Sequence, residues 1–179
     1  MRYVLACLSV LLSTHACTGQ AGKSLEQSQG ANATTSAPSE PLTTSVMLAD
    51  SLATYSTMAE AQQAARSGDA QILVVFAGSD WCRPCKQFKV SVLDDAGFRQ
   101  NLSDELVVLY LDFPSKRRNQ LPAEQTAHNE RYAEKYNPQG LFPRLLIVDV
   151  EEELVGELSY AGEEAASFEA QVREVLDKR

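Results

Sequence analysis

The sequence predicts an α/β domain, a central mixed β-sheet flanked by helices on both faces. Three observations predict it. The apolar runs Ile72–Ala77, Leu106–Asp112 and Leu145–Asp149 have the length and composition of strands buried on both faces. Segments with helical spacing alternate with these runs, as they do when crossovers join parallel strands. A turn at Val150–Glu153 then sends Leu154–Tyr160 back as a hairpin partner, which makes the sheet mixed.

The elements follow in order. Val46–Ala49 is a short apolar run and an expected edge strand. Met58–Arg66 consists of strong helix formers, and Ser67-Gly68 is the expected C-terminal cap. Gly78-Ser79-Asp80 breaks the Ile72–Ala77 strand. A helix then starts at Cys82 and runs to Asp94 or Phe98, with Phe88, Val92 and Leu93 on one stripe. Phe113–Pro122 is a polar loop whose charge run, Lys116-Arg117-Arg118, is expected in solvent. Ala123–Tyr136 has helical spacing and ends at Asn137-Pro138-Gln139-Gly140. Glu163–Lys178 closes the chain as a helix, with Phe168, Val172, Val175 and Leu176 inward. The expected order is β-α-β-α-β-α-β-β-α.

Upstream of the domain at 45–179 stand two other segments. Residues 1–17 have the makeup of a signal peptide: Met1-Arg2 is positive, and Tyr3–Leu12 is an apolar run of about ten residues, too short to span a bilayer. Cleavage after Ala16 or Ala21 would release a soluble protein. Alternatively, the Ala16-Cys17 pair resembles a bacterial lipoprotein signal, in which Cys17 becomes the lipid anchor. Thr14 and His15 depart from that pattern. Residues 18–44 are rich in Ser, Thr, Ala, Gln and Gly and are expected to form a flexible linker. By either route the mature protein is expected in the cell envelope.

Charge narrows the partners. The 179-residue chain carries a net charge of −8. Such a chain has no general electrostatic attraction to phosphate backbones, so nucleic acid is not an expected partner.

The cysteines narrow the chemistry. Of the four in the chain, Cys7 leaves with the signal and Cys17 is removed or acylated. Cys82 and Cys85 remain, two residues apart, after a strand and at a helix start. A structural zinc site needs four ligands. The mature chain offers these two cysteines and His128, so no metal is expected. A disulfide closing so small a loop adds little cross-linking entropy. A redox couple is the reading with a mechanism, because a thiolate at a helix N-terminus gains from free N–H groups and the helix dipole. Pro84 fits the first turn, where a missing N–H costs little. Arg83 adds a positive charge.

The stretch Phe76–Phe88, FAGSDWCRPCKQF, resembles the active-site segment of the thioredoxin superfamily. Asp112-Phe113-Pro114 and Asn129–Pro143 extend the resemblance to exported bacterial thioredoxin-like proteins. It covers roughly Val46–Arg179 and implies a thioredoxin-like fold. Cys82 would be the nucleophile and Cys85 the resolving thiol, with Trp81 on the rim and no cofactor. Pro143 would match the family's cis-proline, and Phe142 would offer its backbone to an extended substrate. Relatives often carry a buried acid in the central strand; Val75 holds that place here. Asp80 is expected as an exposed turn residue whose charge would oppose thiolate formation. The resemblance implies reduction of disulfides in exported proteins, since Pro rather than His precedes the second cysteine. It also implies a membrane electron donor. An oxidase or isomerase, or a module binding peptide or copper through the cysteines and His128, stays open at this stage.

Overall fold

The computed structural model describes residues 51–178. The expected signal segment, the linker, Cys17 and the edge strand at Val46–Ala49 lie outside them. Among the described residues, the edge position beside β3 is held by β1 (Thr54–Tyr55), too short to register as an apolar run. Then come α1 (Met58–Gly68), β2 (Gln71–Ala77), α2 (Arg83–Phe88), a π-helical turn (Lys89–Leu93) and α3 (Ala96–Asn101). They are followed by β3 (Leu106–Asp112), a 3-10 turn (Arg117–Asn119), α4 (Ala123–Tyr136), β4 (Arg144–Val148), β5 (Leu154–Leu158) and α5 (Ala165–Leu176).

The sheet order is β1-β3-β2-β4-β5. β1, β3 and β2 run parallel; β4 is antiparallel to β2, and β5 to β4. β2 is therefore central, and all seven of its residues are buried. Its side chains alternate between two cores. Leu73, Val75 and Ala77 face the core under α2, α3 and α5. Ile72, Val74 and Phe76 face the core under α1 and α4. Burying each such Val, Leu or Ile is worth about 1.5–3 kcal/mol. This duplication explains why β2 is apolar throughout rather than alternating.

Local chemistry sets the element ends. Thr57 caps α1 by accepting the Glu60 N–H at 3.4 Å, and its hydroxyl donates to the Glu60 carboxylate at 2.6 Å. Gly68 is the last residue of α1, and the left-handed cap falls one residue later than expected, on Asp69 (φ 54°).

The single helix expected after Cys82 is in fact three pieces. Asp94 N–H reaches back five residues to the Lys89 carbonyl at 2.8 Å, which widens that turn and leaves both Val92 and Leu93 inward. Asp95 then adopts an extended conformation and accepts the Phe98 N–H at 2.9 Å, capping a new helix. A short Asp at that position competes with the helix for its own backbone.

Phe168 of α5 is fully buried and packs edge-on against Phe88 with centroids 5.0 Å apart, and against Phe98 at 6.0 Å. It ties the last helix to the two helices that follow the dithiol. Phe168→Ala should destabilise the protein by about 3–5 kcal/mol in urea denaturation. A loss under about 1 kcal/mol would show that α5 does not share that core.

Candidate active site

The site forms where β2 ends. Gly78 carbonyl accepts N–H bonds from Trp81 (3.3 Å) and Cys82 (2.9 Å), closing a tight loop between strand and helix. Cys82 is the N-cap of α2, and its Sγ accepts the Cys85 N–H at 3.2 Å. Pro84 lies in the first turn. The two cysteines form a disulfide, with Cα atoms 5.3 Å apart. Only 4% of Cys82 and 2% of Cys85 is exposed. Position, more than exposure, separates the two sulfurs: Cys82 holds the cap, and Cys85 lies one turn deeper.

The rim is aromatic. Trp81 is 47% exposed. Its indole N–H donates to the Phe113 carbonyl at 2.8 Å, and its ring meets Phe142 edge-on at 5.2 Å. Phe142 meets Phe113 edge-on at 5.5 Å, and Phe113 stacks on Phe76 at 6.2 Å. Gly78 lies under the indole, where any Cβ would collide with Trp81. The Phe142–Pro143 peptide is cis. The pairing of Phe76 with Arg144 places Pro143 beside the end of β2. Among the described residues, the Phe142 N–H and C=O make no hydrogen bond. Arg83 is exposed beside the disulfide.

Asp80 has a role the sequence did not indicate. Its carboxylate accepts the backbone N–H groups of Ser115 (3.0 Å) and Lys116 (2.9 Å) and the Asn119 side-chain amide (2.9 Å). The Ser115 N–H does most to hold its pKa down at about 2, with burial opposing and the Lys116 N–H, Asn119 and the Lys116 charge assisting. The anion fastens the 115–119 loop to the residue before Trp81. Asp112 works in parallel, accepting Ser79 N–H at 2.8 Å and the Ser79 hydroxyl at 2.6 Å.

Val75 is fully buried in the same core as both cysteines, so no carboxylate stands at its place in β2. Register brings two ionisable groups to the same sheet face on β3: Tyr110 opposite Val75, and Asp112 opposite Ala77. Burial first, and then Asp112 and Asp94, push the Tyr110 hydroxyl up to about 12. Tyr110 and Asp112 line a cleft of about 740 Å³ that also touches Lys89 and Asp94.

His128 is engaged elsewhere. Its Nε2 accepts the Met58 N–H at 3.0 Å, which leaves Nδ1 to donate to Asn129 Oδ1 at 3.1 Å. Nε2 braces α1 against α4, while Nδ1 is engaged within α4. Among the described residues, no group of three or more His, Cys, Asp or Glu side chains could hold a metal ion.

A five-stranded mixed sheet that delivers a Cys-x-x-Cys disulfide at a helix cap, beside a cis-proline, defines a fold of the disulfide oxidoreductase type. The model of the thioredoxin-like family matches residues 53–149, more than half of the 179-residue chain. The chain belongs to the thioredoxin-like family. Among solved structures it is similar to the DsbH oxidoreductase, at 25% identity and a TM-score of 0.64, over 79% of this chain and 96% of that one. It is also similar in fold to a thioredoxin from Thermus thermophilus, at 23% identity and a TM-score of 0.52, over 72% of this chain and 89% of that one. No curated protein matches its sequence.

Two measurements follow from this geometry. Asp80 titrates at about 2 in the folded protein against 3.8 for the free group. Its anchoring is thus complete above about pH 4 and lost as pH falls toward 2. The Ser115 and Lys116 amide signals in NMR should titrate with a midpoint near 2 and lose that transition in Asp80→Asn; a midpoint near 4 would contradict the anchor. The chain has a single tryptophan, so Gly78→Ala, by displacing the indole, should shift the protein's tryptophan emission to longer wavelength. An unchanged spectrum would show that Trp81 does not lie on Gly78.

Proposed function

We propose that this protein is a thiol–disulfide oxidoreductase of the cell envelope that reduces disulfides in exported proteins. One observation carries the reading: Cys82 Sγ sits at the cap of α2 and receives the Cys85 N–H. A donor aimed at sulfur favours the thiolate, which is the attacking form.

The cycle follows from the two positions. Reduced Cys82, as thiolate, attacks one sulfur of the partner's disulfide. A bond forms between Cys82 and that sulfur, and the other partner sulfur leaves as a thiolate and takes up a proton. Cys85, once deprotonated, attacks Cys82 Sγ. The mixed disulfide breaks, the second partner sulfur leaves, and the Cys82–Cys85 disulfide forms. Two electrons have passed from the dithiol to the partner. The open backbone of Phe142 beside Pro143 suits docking of an extended chain, and Trp81 bounds that groove. Val75 shares the core with Cys85, so β2 offers no carboxylate there to take the Cys85 proton.

Pro84 supports the reducing direction. It supplies no donor to the Cys82 thiolate, whereas a His there would stabilise the dithiol form and make the disulfide more oxidising. The envelope placement rests on the signal-like residues 1–17 and the polar stretch 18–44. Cys17 would anchor the protein by a lipid, and a membrane electron donor would re-reduce the dithiol.

With dithiothreitol as electron source, the full chain should reduce insulin disulfides, and Cys82→Ser should lower the rate to the uncatalysed level. Equal rates would remove Cys82 as nucleophile. Its reduction potential should fall close to that of thioredoxin, about −270 mV; a value near −120 mV would assign it to the oxidising side.

A further inference from the structure

We propose that the 115–119 loop is a recognition element that selects partner segments carrying acidic residues around their disulfide; this rests on the oxidoreductase reading above. The loop is held at the rim from two sides. Asp80 grips its Ser115 and Lys116 amides, and the Trp81 indole, on the next residue, is bonded to the Phe113 carbonyl at the loop's start. Lys116, Arg117 and Arg118 are all exposed, as is Arg83 between the cysteines. Among the described residues, none of these four has an acidic partner at ion-pair distance.

Two carboxylates of the rim, Asp80 and Asp112, are already occupied. Asp80 holds the loop, and Asp112 holds Ser79. Glu130 lines the small cleft beside Phe113 and Pro114. Elsewhere the balance reverses. The consecutive Glu151, Glu152 and Glu153 occupy the β4–β5 turn, at the end of the sheet opposite Arg144 and the dithiol. A chain of net charge −8 thus presents unpaired cations at the one edge where a substrate chain would lie. That placement steers an acidic segment toward Cys82 and repels a basic one. The aromatic surface of Trp81 and Phe142 supplies the apolar contact between the two charge sets. A peptide is favoured over a lipid surface because the cations flank a groove with an open backbone rather than an apolar insertion face.

The test is a comparison of two quenched-fluorophore peptides, each bridged by one disulfide. They are identical except that the residues flanking the cysteines are Asp and Glu in one, Asn and Gln in the other. Pre-reduced full-length protein is mixed with each in single turnover. The acidic peptide should react about tenfold faster at low salt, and the ratio should fall toward one at about 0.5 M salt. The triple variant Lys116→Ala, Arg117→Ala, Arg118→Ala should bring the ratio toward one at low salt. A ratio of two rates on one preparation cancels any change in intrinsic reactivity.

A ratio of one in the wild type at low salt would overturn the inference while leaving the oxidoreductase reading intact. A ratio retained by the triple variant would overturn the assignment to this loop. Reduction of neither peptide would overturn both readings. A ratio of one, together with binding to vesicles of anionic phospholipid that the triple variant lacks, would overturn it in favour of a membrane surface.

Discussion

The handover from β2 to α2 is the constraint on which the rest depends. A strand buried on both faces has to end and release a helix within five residues. The Gly78 carbonyl does this by taking two N–H groups, from Trp81 and Cys82. The loop then ends with Cys82 in an extended conformation at the helix cap. Gly78 serves twice, because the indole of Trp81 lies where a side chain would be. Without that overlap the indole could not reach both Phe142 and the Phe113 carbonyl. The dithiol geometry and the shape of its rim are one structural decision.

Around that handover, segments far apart in the chain are fixed by a few polar bonds. Asp112 at the end of β3 holds Ser79, and Asn129 of α4 donates to the Asp112 carbonyl at 2.8 Å. His128 joins Asn129 to the start of α1. A continuous series of hydrogen bonds therefore runs from α1 through α4 to the loop before Trp81. Met58 and Asp112 lie at element ends, where backbone donors or carbonyls need partners, and His128 and Asn129 reach them from the middle of α4. Structural need and site positioning are met by the same bonds.

How much of this was legible in the sequence varied with the strength of the local pattern. The central strand, the long helix Ala123–Tyr136 and the closing helix were legible because burial writes a strong period into apolar residues. The Cys82–Cys85 pair was legible because its spacing carries chemistry, and the cis bond at Phe142-Pro143 through the family resemblance. The edge strand was not, since Thr54–Tyr55 is two residues long and gains its pairing from β3. The break after Phe88 was hidden for another reason: Phe88, Val92 and Leu93 fit a single helix, and only the cap at Asp95 ends it. Asp80 looked like a turn residue because its partners lie 35 to 39 positions away. Phe113 sat within a recognisable triplet, but its carbonyl as a partner for Trp81 left no trace in composition.

The way Asp80 holds its loop has a consequence for variation. Two of its three partners are main-chain amides, supplied by any residue other than proline. The side chains at 115 to 118 are therefore unconstrained by the anchor, and only Asn119 contributes its own. Residues on this segment can be exchanged without loosening the loop or disturbing the sulfurs. Such a design separates what the protein prefers from how it reacts. Descendants of one chain could acquire new preferences through a handful of surface changes while inheriting the same chemistry.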